Sequence, residues 1–121
     1  MIYKKKIDNF FLLDISFPFI NKLVYKNEKN IAIRVSEYEP IELAYRMKSK
    51  INWIWLDCFN GFPLSQSQVK EINQIGLKIC LVSPELHGLP RTKYEITHFK
   101  RKIKDYKLKV SAVCTKFPTL W

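Results

Sequence analysis

Glycine is scarce in this sequence, with 3 residues among 121, and that shortage removes whole classes of chemistry. There is no glycine-rich loop to cradle the phosphates of a nucleotide, no dinucleotide fingerprint and no Gly-x-Ser-x-Gly elbow. With only 6 prolines besides, neither low-complexity sequence nor a long flexible linker is expected. Cysteine is sparse too. Cys58, Cys80 and Cys114 are odd in number, far apart and set within apolar runs, so they read as reduced, buried thiols without metal-type spacing. No apolar run approaches the roughly 18 residues of a membrane-spanning helix, because charged or polar residues interrupt every candidate. The basic start, Met1 to Asp8, is not followed by an apolar stretch and a small-residue cleavage site. A secretory signal is therefore not expected, and the chain reads as cytoplasmic.

Acids are the remaining shortage: Asp and Glu number 11 against 21 Lys and Arg, a net charge of +10. One reading is an anionic partner, whether phosphate ester, nucleic acid or acidic membrane surface. The other is a set of lysines solvated on the outer faces of helices. Charge alone does not decide between them.

What the sequence does have is an alternation. Five segments, 10–16, 31–37, 53–58, 78–83 and 111–115, are apolar runs rich in β-branched and aromatic residues that end in a polar or acidic residue. Such near-continuous runs suit strands buried on both faces of a parallel sheet. Between them lie stretches with helical spacing. Pro18 to Tyr25 carries Phe19, Ile20, Leu23 and Val24, and Pro40 to Met47 opens on a proline suited to a first helical turn. A third helix opens at Ser65 or Ser67 and stops at Gly76, and a fourth runs from an N-cap at Thr97 to Tyr106. The order predicts one α/β domain over residues 1–121, a (βα)4β parallel sheet with right-handed crossovers.

Parallel α/β sheets place their chemistry at the carboxyl ends of the strands, and the scarce acids fall there. Asp14, Glu37, Glu39, Asp57 and Glu85 all follow an apolar run, with His87 two residues beyond Glu85. As helix caps and turn residues these positions are ordinary. As a rim, with Arg34 and Lys116, they would handle a phosphate ester or a metal. Glu85 and His87 lie close enough in sequence to share proton transfer, which makes them the candidate acid–base pair. Arg34, Glu37 and Lys116 are candidate substrate ligands, with Glu37 near enough to pair structurally with Arg34. Asp14 and Asp57 are candidate ligands for a divalent cation such as Mg or Ca. Trp53 and Trp55 alternate on one strand face and read as packing residues.

The strand-end segments Phe11-Leu-Leu-Asp-Ile-Ser-Phe-Pro18, Ile33-Arg-Val-Ser-Glu-Tyr-Glu-Pro40, Trp55-Leu-Asp-Cys-Phe59 and Ala112-Val-Cys-Thr-Lys-Phe-Pro118 resemble the later strands of glycerophosphodiester phosphodiesterase-like TIM barrels. In that family the last strand ends in a Thr-Asp-x-Pro-like segment, and here Lys116 stands in place of the acid. The resemblance implies the carboxyl-terminal half of a barrel, a metal-assisted hydrolysis of a phosphodiester in lipid metabolism, and no activity in isolation. The family's His-Arg-Gly and Glu-Asn-Thr-type segments have no counterpart in this sequence. The resemblance also implies self-association or a partner that carries the missing strands. Two other readings stand beside it. One is a complete flavodoxin-like module that binds an anionic ligand, for which one reversal of strand order is the mark. The other, ranked last, is a nucleic-acid binder using the basic fourth helix.

Overall fold

A computed structural model gives the fold, and the structure describes residues 9–88 and 92–121. Four helices alternate with four strands: α1 (Phe17–Tyr25), β1 (Ala32–Val35), α2 (Glu42–Met47), β2 (Trp53–Leu56), α3 (Gln66–Ile75), β3 (Lys78–Val82), α4 (Thr92–Tyr106) and β4 (Ala112–Cys114). Short 3-10 turns cover Pro84–His87 and Pro118–Leu120. All strand pairings are parallel, in the order β1-β2-β3-β4. The class is therefore the α/β one that the alternation predicts. The order contains no reversal, so the doubly wound flavodoxin arrangement is not the one adopted, and a barrel segment remains compatible with it.

The register sorts the side chains by face. Ile33, Ile54 and Ile79 stand in one row, and Val35, Leu56 and Leu81 in the next. Both rows belong to one buried cluster with Ala44, Met47, Val69, Ile72 and Phe99 of the helices, so the helices cover this face. The opposite face presents Ala32, Arg34, Trp53, Trp55, Cys80 and Val82. There Phe11 packs over both tryptophans, with ring centroids 4.8 and 6.0 Å apart. The small Ala32, Cys80 and Val82 are buried yet lie outside the helix-facing cluster.

Local chemistry sets the helix ends. Ser65 caps α3 in a reciprocal capping box: its Oγ accepts from the Gln68 N–H, and its own N–H donates to Gln68 Oε1. Gly76 closes the same helix in the left-handed region at φ 81°.

Two expectations need correction. The segment 10–16 is not a strand, because only Leu12 pairs, with Ile31, through its N–H to Asn30 and its carbonyl to Ala32. Two residues later Asp14 takes a left-handed φ of 57°, which ends the extended run before a ladder can form. Thr97 is not an N-cap. Helix α4 begins at Thr92, and Thr97 lies inside it with its Oγ1 donating to the Lys93 carbonyl at 2.9 Å. Among the described residues no helix is long and apolar enough to cross a membrane.

Leu56, fully buried in a central strand, locates the core energetically. Leu56→Ala should lower stability by about 2–5 kcal/mol, whereas Leu43→Ala on the exposed side of α2 should cost under about 1 kcal/mol. Urea denaturation of both variants checks this, and equal losses would contradict the assigned core.

Candidate functional site

Each strand hands its chain to a loop at the carboxyl end of the sheet, and the polar residues meet there. Arg34 lies on the tryptophan face of β1, directly beside Trp55 in the register. Asp57 follows β2, and its N–H donates to the Val35 carbonyl at 2.8 Å, which extends the pairing by one residue and fixes the side chain's origin. His87 ends the 3-10 turn that Pro84 opens after β3.

The three form a row. His87 Nε2 lies 2.6 Å from Asp57 Oδ1, an oxygen that also accepts the Cys58 N–H at 2.9 Å. The Asp57 side chain is 7% exposed and that of His87 27%. The imidazole is packed against the Phe59 ring at 4.7 Å between centroids. A neutral His87 with its proton on Nε2 donates to Asp57 and leaves Nδ1 as an acceptor. Among the described residues Nδ1 has no hydrogen-bond partner.

Arg34 is held from several sides. It bonds Asp14 directly, and its guanidinium lies 3.9 Å from Glu39 Oε1 and 3.9 Å from Asp57 Oδ2. The last two separations exceed hydrogen-bonding reach, and Arg34 Nε is buried without a partner among the described residues. Glu39 arrives through a tight turn in which the Ser36 and Glu39 backbones bond reciprocally and Ser36 Oγ donates to Glu39 Oε1 at 3.0 Å.

Several sequence-based expectations change here. Glu85 and His87 do not share a proton. Glu85 is buried and turned toward β4, accepting from Ser83 Oγ, from Thr115 Oγ1 at 2.5 Å and from the Lys116 N–H at 2.8 Å, while Trp121 Nε1 donates to Ser83 Oγ at 3.0 Å. Burial alone would raise the Glu85 pKa, but those three donors outweigh it and hold the carboxyl below its ordinary value. An ionised, fully bonded Glu85 braces the β3 and β4 exits and has no proton to give.

Glu37 is not the partner of Arg34 either. Its oxygens accept the Phe59 and Asn60 N–H groups at 2.7–3.1 Å, so it braces the loop after β2. Lys116 offers its backbone to Glu85 and leaves its side chain exposed. Asp14 and Asp57 face one guanidinium rather than a shared gap. Among the described residues no group of three or more His, Cys, Asp and Glu side chains converges as a metal would need. Arg34 supplies the positive charge between the two aspartates.

The thiols are held in their neutral form, Cys114 included, whose pKa burial also raises. Burial, with the nearby charges of Asp57, Glu37 and Glu85, pushes the Cys58 thiol up to about 12, and burial raises Cys80 to about 11. A cavity of about 400 Å³ opens at the Arg34 end of the row, with Asp14, Arg34 and Glu39 on its wall and neither Asp57 nor His87 among its lining residues. A larger one of about 500 Å³ lies between α2 and α3, where Glu42 is already paired with Arg46. The smaller cavity holds the convergent charges and is the better candidate.

Sequence spacing placed Glu39 on the rim without a partner, and it did not anticipate the Asp57–His87 contact. The available signal was that Asp57 and His87 follow neighbouring runs. No protein-family model, curated protein or solved structure matches the chain.

Because the Glu85 pKa is lowered on folding, the unfolded chain takes up the proton first as pH falls. Stability is then full above the ordinary glutamate value of 4.5 and is lost as pH drops toward the lower folded value. Urea midpoints measured across that range should fall for the native chain, and Glu85→Gln should flatten this part of the slope. An unchanged slope in Glu85→Gln would refute the brace.

Proposed function

We propose that the carboxyl end of the sheet binds a phosphodiester and prepares it for hydrolysis, as the contributing half of a glycerophosphodiester phosphodiesterase-like barrel. The observation that carries the reading is the row Arg34–Asp57–His87 on one face at adjacent strand exits. Arg34 keeps donors beyond its single bond to Asp14, and a guanidinium fork suits two phosphate oxygens. Asp57 orients His87, whose neutral ring carries its proton on Nε2 toward the carboxylate and leaves Nδ1 open as a base. Nδ1 can then accept a proton from an attacking water and return it to the leaving alkoxide as that P–O bond breaks.

The surrounding charge supports a diester over a monoester. Asp14, Glu39 and Asp57 all lie within 4 Å of the one guanidinium. A phosphomonoester dianion meets more repulsion there than a singly charged diester does. The resemblance places the remaining catalytic groups on strands of a kind this sequence does not contain, so full turnover belongs to an assembly that includes them. That assembly is a complex with a chain that supplies them, since a second copy of this sequence would lack the same segments.

Titration with glycerophosphoglycerol, followed by the ring resonances of His87, tests the reading. The diester should shift His87 saturably, Arg34→Ala should weaken binding by about tenfold or more, and 4-nitrophenyl phosphate should bind less well. Absence of a saturable shift, or native-like binding by Arg34→Ala, would sink the proposal.

A further inference from the structure

The two ends of the sheet carry opposite charge. The carboxyl end gathers Asp14, Glu37, Glu39, Asp57 and Glu85 around Arg34 and Lys116. The amino end is lysine-rich. Lys26, Lys48 and Lys107 directly follow helices α1, α2 and α4, and Lys29, Lys50, Lys78 and Lys109 stand at or just before the starts of the four strands. All seven are exposed. The acids at that end are Glu28, which accepts the Asn30 N–H at 2.8 Å, and Asp105 in the last turn of α4. Lysines after a helix answer the partial negative charge of its carboxyl end, which accounts for three of the seven. The four before strands have no such cause, although Lys78 also lies 5.4 Å over the Trp53 ring.

Part of this surface is built. Asn73 of α3 fixes the connection into β4: its Nδ2 donates to the Lys107 carbonyl at 2.9 Å, and its Oδ1 accepts the Lys109 N–H at 3.0 Å. Beside it is a recess of about 300 Å³ with Lys78 and Lys109 on its wall. Tyr25, 90% exposed, adjoins Lys26 at the edge of the same end.

We propose that the amino end of the sheet docks on an anionic lipid bilayer. The lysines belong to every helix-to-strand connection and so spread over a plane rather than along a groove, which suits a sheet of headgroups. Lysines act there as point charges. The arginine close by, Arg46, has its charge offset by Glu42 at 3.1 Å, so the surface is one of lysines rather than of guanidinium forks. An exposed tyrosine beside lysine fits the headgroup layer, where its ring is half wetted. Docking by this end leaves the opposite rim facing solution, so the inference stands independently of the phosphodiester reading.

Sedimentation of the full chain with phosphatidylcholine vesicles, with and without phosphatidylserine, tests it. Binding should require phosphatidylserine and fade as salt is raised. The double variant Lys50→Glu with Lys109→Glu should bind at least about tenfold more weakly. The pair Lys70→Glu with Arg101→Glu makes the same charge change on the outer faces of α3 and α4 and should bind nearly as the native chain does. Circular dichroism confirms that both variants fold. No binding to phosphatidylserine vesicles, equal losses in the two variants, or removal of the chain from vesicles by duplex DNA would each overturn the proposal.

Discussion

A guanidinium set in the face of a parallel sheet must be neutralised where it stands, and much of the carboxyl end is organised by that demand. Arg34 stands on the face opposite its neighbours Ile33 and Val35, beside Trp55, with its side chain 33% exposed and its head reaching the strand exits. The left-handed bend at Asp14 turns one carboxylate toward it, and the Ser36–Glu39 turn brings a second. Asp57 supplies a third from the neighbouring strand. The same bend that aims Asp14 also stops residues 10–16 from forming a strand, so a local electrostatic need shortens the sheet.

Asp57 links this arrangement to the imidazole. Its backbone continues the ladder to β1, one oxygen receives the Cys58 N–H and His87, and the other looks toward Arg34. A buried carboxylate bonded to an imidazole on one side, with a cation on the other, fixes the orientation of that ring. Two further carboxylates do mechanical work nearby: Glu37 braces the loop after β2, and Glu85 braces the exits of β3 and β4. Neighbouring carboxylates in one chain thus serve in different ways, according to which donors reach them.

The fold class was legible because four of the apolar runs are strands of a parallel sheet, and because a serine at 65 or 67 and Gly76 bracket α3, the structure choosing Ser65. The first segment was not, since a hydrophobic pattern carries no sign of a positive φ at Asp14. Thr97 misled because a threonine before a charged helical stretch looks like a cap whether or not the helix began a turn earlier. At the rim, sequence located the residues but not their pairing. Glu85 and His87 are two residues apart and face different strands, whereas His87 and Asp57 are 30 apart and touch. Parallel topology makes neighbours of successive strand exits, and adjacency along the chain says nothing of that.

Sequential strand order has a consequence for how the chain reaches its native state. Each ladder joins segments separated by a single helix and its turns, so no contact between strands requires a long loop to close first. Contacts of that range favour quick, incremental assembly. The β2–α3–β3 unit joins a capped helix to two strands that are each paired on both sides, so the edges, paired on one side, are the parts expected to open first under stress.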